Sequence, residues 1–413
     1  MVQDNPLMNE LEEMVNFYKD HDEIWIWGHD IEQRLFSKYF AMSHMPITGF
    51  LVPEVRKEDR FKEPFPVINV IAFKEKNKRK FIGNNKKIGV LITVDESRYS
   101  EAVSMLSYAG IHDFYFVSEW NKRTIPYKMT PRTIDNFWLE VNLADHCNLN
   151  CQCCDHFSPL ASKTFLDFDQ YVKDIKRLGE LTDHKLGLMK LQGGEPLLND
   201  QLIDYFRVTR EEFPDTHICL FTDGILLLKW GMKEGDQNIW EAVKKYEIEI
   251  RMTCYPIKFD MERLIQQIEA HGVAYHMDPP PFKKGARVWF FSEIGALEYK
   301  GVKHSVKHPF DLKGKQDPYR FISCYQFNES IVLRDGKIYT CPMIPYVHFF
   351  NEYFNQNLEV TDNDYIDIYK VNSYAEIAEF CSQRISFCRY CAVQCRSSRE
   401  WKQSDHSIEE WVL

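Results

Sequence analysis

The chain has 413 residues, of which 44% are apolar and 14% aromatic, enough for two or three domains with buried cores. Its formal net charge of −10 argues against a general nucleic-acid binder, because such proteins carry a basic excess. It contains no apolar run of the roughly 18 residues that span a bilayer and no signal-peptide pattern at its start. We therefore expect a cytoplasmic protein without nucleic-acid or membrane partners, in which clustered cysteines indicate metal or redox chemistry.

Residues 1–125 alternate short apolar runs with amphipathic helical patterns, which predicts a Rossmann-like α/β domain. The turn after the first run contains Gly28 but lacks the two further glycines of a dinucleotide fingerprint. A scaffold or recognition role is therefore favoured here, with a nucleotide or nucleotide-sugar site as the alternative. The predicted strands are 23–28, 47–52, 67–73, 87–94 and 114–117, and the predicted helices are 30–40 and 97–110.

A polar stretch with Pro126 and Pro131 predicts a linker over residues 126–136. A second series of strand and helix patterns follows, which predicts a partial (β/α)6 TIM-like barrel within a core domain of residues 137–315. Such folds carry their chemistry at the carboxyl ends of the strands. The predicted strands are 137–143, 187–192, 217–222, 248–255 and 273–278, and the helices are 169–181, 200–212, 237–246 and 259–270.

The stretch 279–320 has no clear periodicity and is predicted to be irregular. Residues 283–315 contain eight Lys or Arg against three Asp or Glu. This local positive charge could attract an anionic substrate, or it could belong to a solvated loop.

The 12 cysteines are unevenly placed, with none in residues 1–146. Cys219 and Cys254 are isolated in apolar runs and are interpreted as buried core residues. Cys147, Cys151 and Cys154 instead follow a predicted strand on one short loop, together with Cys153. Three thiolates at this spacing suit an iron–sulfur cubane in which one iron stays open, whereas zinc sites usually show paired knuckles.

The CxxxCxxC loop is followed, after the next predicted strand, by Gly193-Gly194-Glu195-Pro196. These two motifs on consecutive strands resemble those of the radical S-adenosylmethionine (radical SAM) superfamily, and the resemblance covers residues 137–278. It implies an enzyme that cleaves S-adenosylmethionine reductively to a 5′-deoxyadenosyl radical, with the hard chemistry carried by the cofactors. It also implies an external one-electron reductant such as flavodoxin or ferredoxin.

The resemblance implies roles for particular residues. Cys147, Cys151 and Cys154 would bind three irons of a [4Fe–4S] cluster, and S-adenosylmethionine would chelate the fourth. The cofactor-binding set would be Gly193, Gly194, Glu195, Thr222 of the Thr222-Asp223-Gly224 turn, and Thr253. The family usually has an aromatic residue before the third cysteine, where this chain has Cys153. We interpret Cys153 as a small apolar substitute rather than a competing thiol, with Phe157 supplying the aromatic contact to adenine.

The remaining cysteines resemble the SPASM or twitch-type auxiliary-cluster domain of the same superfamily, over residues 316–413. A hairpin is predicted at 331–342, with Asp335-Gly336 as its turn. The resemblance implies one auxiliary [4Fe–4S] cluster, and a zinc site is the alternative because four thiolates suit zinc equally well. Cys381 is interpreted as a bystander. The predicted ligands are Cys324, Cys341, Cys388 and Cys391, with Cys395 as an alternative ligand.

The substrate is not fixed by these motifs. The favoured hypothesis is oxidation or epimerisation of a small molecule, such as an anionic sugar or a nucleotide-linked compound. The alternative is modification of a ribosomally made peptide, and a non-catalytic electron-transfer or zinc protein is a third possibility. Arg251, Tyr255 and His276 lie near predicted strand ends, but none can be assigned as a catalytic acid or base.

Overall fold

The structure is a computed structural model that describes residues 6–56, 64–78, 86–291, 297–299 and 302–413. These residues form two compact units. The first unit contains the described residues up to Thr130 together with Asp317–Ser323, and the second contains Pro131–Gln316 and Cys324–Leu413. The predicted boundary between residues 137–315 and 316–413 falls inside the second unit and stays a prediction.

The first unit is built on a five-stranded sheet with helices on both faces. Its elements are α1 (Pro6–Lys19), β1 (Glu23–Trp27), α2 (Ile31–Met42), β2 (Gly49–Val52), β3 (Val67–Asn69), α3 (Val70–Lys78), β4 (Ile88–Ile92), α4 (Tyr99–Tyr108), β5 (Phe114–Phe116) and α5 (Glu119–Met129). The strand order is β3-β2-β1-β4-β5 and every pairing is parallel, which confirms the Rossmann-like prediction. The two central strands, β1 and β4, are almost wholly apolar because both of their faces are covered.

Two predictions in this unit were wrong. The strand predicted over 67–73 ends at Asn69, whose side-chain oxygen accepts hydrogen bonds from the backbone N–H groups of Ile71 (2.8 Å) and Ala72 (3.1 Å) and so starts α3. The predicted linker 126–136 begins inside α5, although that helix contains Pro126. Helix α5 begins at a capping serine and buries Ile125 and Met129, which its polar composition concealed.

The second unit carries a mixed nine-stranded sheet and, among its described residues, a separate three-stranded sheet. The strands of the unit are β6 (Trp138–Ala144), β7 (Leu188–Gly193), β8 (His217–Thr222), β9 (Ile248–Thr253), β10 (Ala274–His276), β11 (Arg287–Phe291), β12 (Leu297–Tyr299), β13 (Val302–Lys307), β14 (Ile331–Arg334), β15 (Lys337–Tyr339), β16 (Ile366–Asp367) and β17 (Ser397–Glu400). Strands β12, β13 and β17 form the three-stranded sheet, and the others form the nine-stranded sheet. Its helices are α6 (Phe168–Thr182), α7 (Leu202–Glu212), α8 (Leu227–Trp230), α9 (Ile239–Tyr246), α10 (Met261–Ala270), α11 (Val347–Phe354) and α12 (Tyr374–Cys381).

Six strands of this sheet are mutually parallel in the order β10-β11-β9-β8-β7-β6, which confirms the predicted partial barrel. The prediction that 279–320 is irregular was wrong, because β11 inserts between β9 and β10. The apolar run that makes β11 is short and is flanked by prolines and basic residues, which hid it. The positively charged stretch 283–315 lies partly outside the described residues, at 292–296 and 300–301. Within the described part, Arg287 and Lys284 are paired with glutamates.

The barrel strands alternate between an outer apolar face and an inner polar face. Side chains such as Leu139, Leu191 and Ile250 pack against the helices and form the main core. The residues that alternate with them include Glu140, which accepts a hydrogen bond from Lys190 (2.8 Å). The inner face is therefore suited to polar chemistry.

The predicted hairpin at 331–342 is confirmed. Strands β14 and β15 pair antiparallel, and the turn residues Asp335 and Gly336 have φ of 50° and 71°. Two positive φ values are the signature of a type I′ turn, for which Asp-Gly is a preferred sequence. Strand β14 also pairs with β6, so the hairpin extends the barrel sheet.

Among the described residues, none of the helices combines the length and apolar character needed to cross a membrane.

Candidate metal and cofactor site

A cavity of about 290 Å³ lies at the carboxyl ends of the barrel strands. The loop after β6 and the ends of β7, β8 and β9 contribute its walls. The cavity therefore lies where parallel barrels carry their chemistry. The predicted site residues that line it are Cys147, Cys151, Cys154, Gly193, Gly194, Thr222 and Thr253.

The cysteine loop is wound tightly by backbone conformations that non-glycine residues rarely adopt. Asn150, Cys153 and Phe157 have φ of 51°, 56° and 53°. Each such residue costs free energy and persists only where its surroundings hold it in place. The loop is therefore fixed by outside contacts rather than by its own preferences.

These contacts come from a segment near residue 400, which we call the closing segment (residues 400–411). The N–H of Gln152 donates to the carbonyl of Lys402 (3.0 Å), and the N–H of Ser404 donates to the carbonyl of Asn150 (2.7 Å). The indole N–H of Trp411 donates to the carbonyl of Cys154 (3.0 Å). The loop and the closing segment thus form one hydrogen-bonded unit, which sequence motifs did not predict.

The closing segment also reaches a predicted iron ligand directly. The indole N–H of Trp401 donates to Sγ of Cys151 (3.1 Å), and the ring of Trp401 lies 5.6 Å from that of Tyr255. Tyr255 lines the cavity, and its pKa is raised by burial and by the charges of the Cys147, Cys151 and Cys154 thiols. Tyr255 therefore faces all three sulfurs.

The three thiols fit a metal cluster in their chemistry. Burial raises the pKa of Cys151 to about 12, and it also raises the pKa of Cys147 and Cys154. Buried thiolates need a compensating positive charge, and bound iron supplies one.

Cys153 has different surroundings. Burial raises the pKa of its thiol to about 11, and the charges that act on it are those of Arg399, Glu410 and Lys307. Its backbone N–H donates to the Glu410 carboxylate (3.0 Å). Cys153 nevertheless borders the cavity that Cys147, Cys151 and Cys154 line, so its interpretation as a packing residue rather than a fourth iron ligand stays a prediction.

Both glycines at the end of β7 are needed because the cysteine loop lies against them. Gly193 has φ of 144°, and a Cβ there would collide with the carbonyl oxygen of Ala144. A Cβ on Gly194 would collide with the carbonyl oxygen of His146. The N–H of Gly194 donates to the carbonyl of Ala144 (2.8 Å). Close packing of the loop, and not only approach to a ligand as the resemblance implied, therefore accounts for the two glycines.

Glu195 is fully buried and ties two strand ends together. Its carboxylate accepts hydrogen bonds from the N–H of Leu197 (2.9 Å), the hydroxyl of Thr222 (2.7 Å) and the N–H of Asp223 (2.9 Å). Burial and the nearby charge of Asp223 raise the pKa of Glu195 well above its ordinary value. Oδ2 of Asp223 is buried, lacks a hydrogen-bond partner among the described residues, and belongs to a cavity wall. Such an atom suits a polar ligand.

We expect Glu195→Gln to lower the free energy of unfolding by about 1–3 kcal/mol, since the new amide has a single accepting oxygen and cannot accept the N–H groups of both Leu197 and Asp223. Denaturant unfolding under anaerobic conditions measures this change. Glu211→Gln on the surface of α7 is the control, for which we expect a change below about 0.5 kcal/mol. An equal, small effect of both substitutions would mean that the Glu195 carboxylate does not hold the strand ends.

Phe157 does not line the cavity. Its side chain is fully buried among Phe310, Phe350 and Trp411, with ring centroids about 6 Å away. The prediction that Phe157 contacts adenine was therefore wrong. Its left-handed backbone turns the side chain into the core, which closeness in sequence to the cysteines did not reveal.

The second set of thiols also gathers in space. Burial raises the pKa of Cys341 and Cys391, and the charges of the neighbouring thiols, Cys324 and Cys388, raise it further. Cys324 and Cys391 line a second, smaller cavity. Cys381 is buried in the main core, away from this set.

His308 lines both cavities. The half-buried carboxylate of Asp155, the residue after Cys154, contacts Nδ1 of His308 (2.7 Å) and accepts a hydrogen bond from the Gln326 amide (2.7 Å). The imidazole is thus held at a fixed angle between the two groups of thiols.

A charged cluster occupies the inner face of the barrel. Glu249 is fully buried, and its carboxylate accepts hydrogen bonds from Arg251 (2.5 Å) and from Arg287. His217 and Cys219 complete a group whose ligand atoms lie within 4.8 Å of one another. The two guanidinium groups already neutralise the carboxylate, so this group is poorly suited to a cation. Arg251, considered from sequence as an acid or base, is held in this cluster.

No family model matches the chain. The chain is 31% identical over 99 residues to a GTP 3′,8-cyclase of Clostridium perfringens (strain SM101 / Type A), which covers 23% of the chain and 29% of that protein. It is 29% identical over 231 residues to a GTP 3′,8-cyclase of Aliarcobacter butzleri (strain RM4018), covering 45% of the chain and 71% of that protein. The chain thus spans less than a third of the length of the first of these curated relatives.

Two solved structures show a distant likeness. BtrN in complex with AdoMet and 2-DOIA is 14% identical, with a TM-score of 0.36, covering 62% of the chain and 92% of that protein. Streptococcus suis SuiB bound to the precursor peptide SuiA is 10% identical, with a TM-score of 0.32, covering 78% of the chain and 82% of that protein. Likeness at this level does not transfer a substrate to the chain.

Proposed function

We propose that the chain is a radical S-adenosylmethionine enzyme, which cleaves S-adenosylmethionine reductively and removes a hydrogen atom from a carbon of its substrate. One observation carries this proposal. The three thiols of the CxxxCxxC loop, the glycine end of β7 and the Thr222–Asp223 turn all border one cavity.

Cys147, Cys151 and Cys154 would hold the cluster, and the wall opposite them would hold S-adenosylmethionine. When bound, the two cofactors supply a one-electron reductive cleavage that yields methionine and a 5′-deoxyadenosyl radical. The orphaned carboxylate oxygen of Asp223 would accept a hydrogen bond from the polar part of S-adenosylmethionine. The Trp401 N–H stabilises negative charge on the Cys151 sulfur.

We propose that His308 meets the substrate between the two groups of thiols. Its Nδ1 is held by Asp155, so its Nε2 can accept or donate a proton at a substrate hydroxyl or amine. In a two-electron oxidation the substrate loses the abstracted hydrogen atom, such a proton and one further electron, which the auxiliary cluster would accept. The reductant that starts the reaction would be an external one-electron donor such as flavodoxin or ferredoxin, in the reducing setting of the cytoplasm.

A small polar molecule, such as an anionic sugar or a nucleotide-linked compound, is the proposed substrate. The cavity is small and its wall includes polar side chains of Gln192, Ser305 and Gln326. A ribosomally made peptide is the alternative class. The N-terminal unit is doubly wound α/β rather than the winged helix common in peptide-modifying relatives, which supports the small-molecule proposal.

The proposal is tested with anaerobically reconstituted, chemically reduced protein. We expect S-adenosylmethionine to yield equimolar methionine and 5′-deoxyadenosine. Deuterated sugar phosphates, nucleotide sugars and short peptides are then compared for transfer of deuterium into 5′-deoxyadenosine. Deuterium transfer from peptides alone would mean that the substrate is a ribosomally made peptide. Absence of nucleoside from fully loaded, reduced protein would contradict the proposed chemistry.

We propose that the second set of thiols holds an auxiliary [4Fe–4S] cluster on Cys324, Cys341, Cys388 and Cys391. We expect Cys391→Ser to lower the iron content from about eight to about four atoms per chain, because each lost cubane removes four irons. The matched variant Cys395→Ser is expected to keep about eight. Metal analysis measures both. Tightly bound zinc in this half of the wild-type protein, or a larger loss in Cys395→Ser, would contradict the assignment.

A further inference from the structure

The sheet of the N-terminal unit has a topological switch point. Strands β1 and β4 are neighbours, but β1 leads through α2 to β2 on one side, whereas β4 leads through α4 to β5 on the other. The two connections leave in opposite directions, so a crevice opens at the carboxyl ends of β1 and β4. Open α/β sheets bind ligands at such crevices.

A cavity of about 520 Å³ occupies this crevice. It is bordered by His29 and Asp30 after β1, by the first turn of α2, and by Val94 and Asp95 after β4. Its size falls within the range of roughly 300–1,000 Å³ that is typical of small-molecule sites. The buried hydrogen bond from the Gln33 amide to the Thr93 hydroxyl (2.8 Å) joins the first turn of α2 to the end of β4.

Three guanidinium groups come to this cavity from three separate elements. Arg34 lies in the first turn of α2, Arg56 follows β2, and Arg98 precedes α4. Arg56 is paired with Asp30 (3.1 Å), and Arg98 lies 3.9 Å from Glu101. Pairs as exposed as these contribute little free energy, so a ligand can replace them. The planar fork of arginine matches the oxygens of a phosphate group.

The acidic side chains of the cavity indicate which chemical groups the ligand carries besides phosphate. Asp30, Glu32 and Asp95 border the same cavity and balance the three arginines. A lining of both signs does not favour a bare polyanion. Carboxylates suit the hydroxyl groups of a sugar, while the arginines suit its phosphate.

The mode of binding differs from the dinucleotide pattern. The side chain of Gln33 accepts the N–H of Asp30 (2.9 Å), so the start of α2 is already capped by the chain. Gly28 is the single glycine of the turn, so the backbone does not offer a pyrophosphate cradle. Phosphate would therefore be bound by side chains.

We propose that this cavity binds a phosphorylated sugar unit, as a free sugar phosphate or within a nucleotide, with its phosphate on Arg34, Arg56 and Arg98 and its hydroxyls on the carboxylates. The site lies in the N-terminal unit and does not depend on the chemistry proposed for the barrel. It gives that unit a recognition function of its own.

Equilibrium dialysis of the full-length reconstituted protein tests the proposal. The probes are the four common ribonucleoside diphosphates, ribose 5-phosphate and inorganic phosphate, each used alone. If a ribonucleoside diphosphate binds more tightly than ribose 5-phosphate, the ligand is a nucleotide. If ribose 5-phosphate binds more tightly, the ligand is a free sugar phosphate. We expect Arg34→Gln/Arg98→Gln to weaken the bound probe at least tenfold, and Glu32→Gln/Asp95→Asn to weaken sugar-bearing probes more than inorganic phosphate.

Arg207→Gln on the exposed face of α7 is the control, because it removes a guanidinium group that does not border this cavity. All of these side chains are at the surface, so the variants should fold and should release 5′-deoxyadenosine as the wild type does. The proposal is overturned if no sugar-bearing probe binds, if inorganic phosphate binds as tightly as the others, or if the Arg34→Gln/Arg98→Gln protein binds like the control.

Discussion

Replacing Cys147, Cys151 and Cys154 together by alanine is expected to abolish 5′-deoxyadenosine release and to remove about four iron atoms per chain. The three thiols share one cavity, and burial raises their pKa values, so bound iron would stabilise their thiolates. The thiols of the second set lie elsewhere, so about four irons should remain. Anaerobic iron and sulfide analysis and chromatography of the reaction products measure both effects.

Cys153→Ala is the matched control, since it removes a thiol from the same loop. The charges on Arg399, Glu410 and Lys307 surround that thiol, so we expect about eight irons and full nucleoside release. Loss of iron from Cys153→Ala would mean that Cys153 is a ligand. Nucleoside release by the triple variant would falsify the assignment of the CxxxCxxC loop.

Glu249→Gln is expected to lower the free energy of unfolding by about 3–5 kcal/mol, because it leaves buried guanidinium groups without their counter-charge. Arg287 is buried and Arg251 is largely so, and both bind the carboxylate of Glu249. Denaturant unfolding of the apoprotein measures the change. The control is Glu241→Gln, because the exposed carboxylate of Glu241 pairs with Lys244. We expect this substitution to change the free energy of unfolding by less than about 1 kcal/mol. Similar costs for the two variants would contradict the expected role of Glu249.

The same carboxylate predicts a dependence of stability on pH. Burial alone would raise the pKa of Glu249, but the hydrogen bonds and charges of His217 and Arg251 outweigh it and lower the pKa to about 2, from an ordinary value of 4.5. The stabilisation is therefore fully present above pH 4.5 and is lost as the pH falls towards 2. Wild-type apoprotein should lose stability more steeply over this interval than Glu249→Gln. Parallel pH profiles for the two proteins would contradict this.

Local patterns were enough to predict the parts of the fold that carry the motifs. Strands β6 to β8 are apolar on the face that meets the helices, and a motif lies at the end of each, so periodicity and motif agreed. The insertion of β11 between β9 and β10 could not be predicted, because the order of strands depends on pairing between distant segments. The start of α3 depends on a single side chain, Asn69, whose cap was not recognised within an apolar run.

The candidate site, like the fold, was predicted from sequence only in its local features. The positions of the thiols and of the strand ends followed from sequence, but the direction of Phe157 did not, because a positive φ reversed it. The contacts of Trp401 and Trp411 join residues 250 and 257 positions apart, and no motif marks them. Glu195 was placed in the cofactor-binding set from sequence, whereas the three hydrogen bonds by which its carboxylate joins two strand ends became visible only in the structure.

The closing segment sets an order for the assembly of the protein in the cell. The loop that contains Cys147, Cys151 and Cys154 needs Lys402 and Ser404 to hold its left-handed residues, and these are translated some 250 residues later. A ribosome that has finished the barrel has therefore not yet made the residues that hold the thiols in position. Iron should be inserted after translation, and a nascent chain stalled before residue 400 should expose its cysteines to alkylating reagents that a finished chain resists.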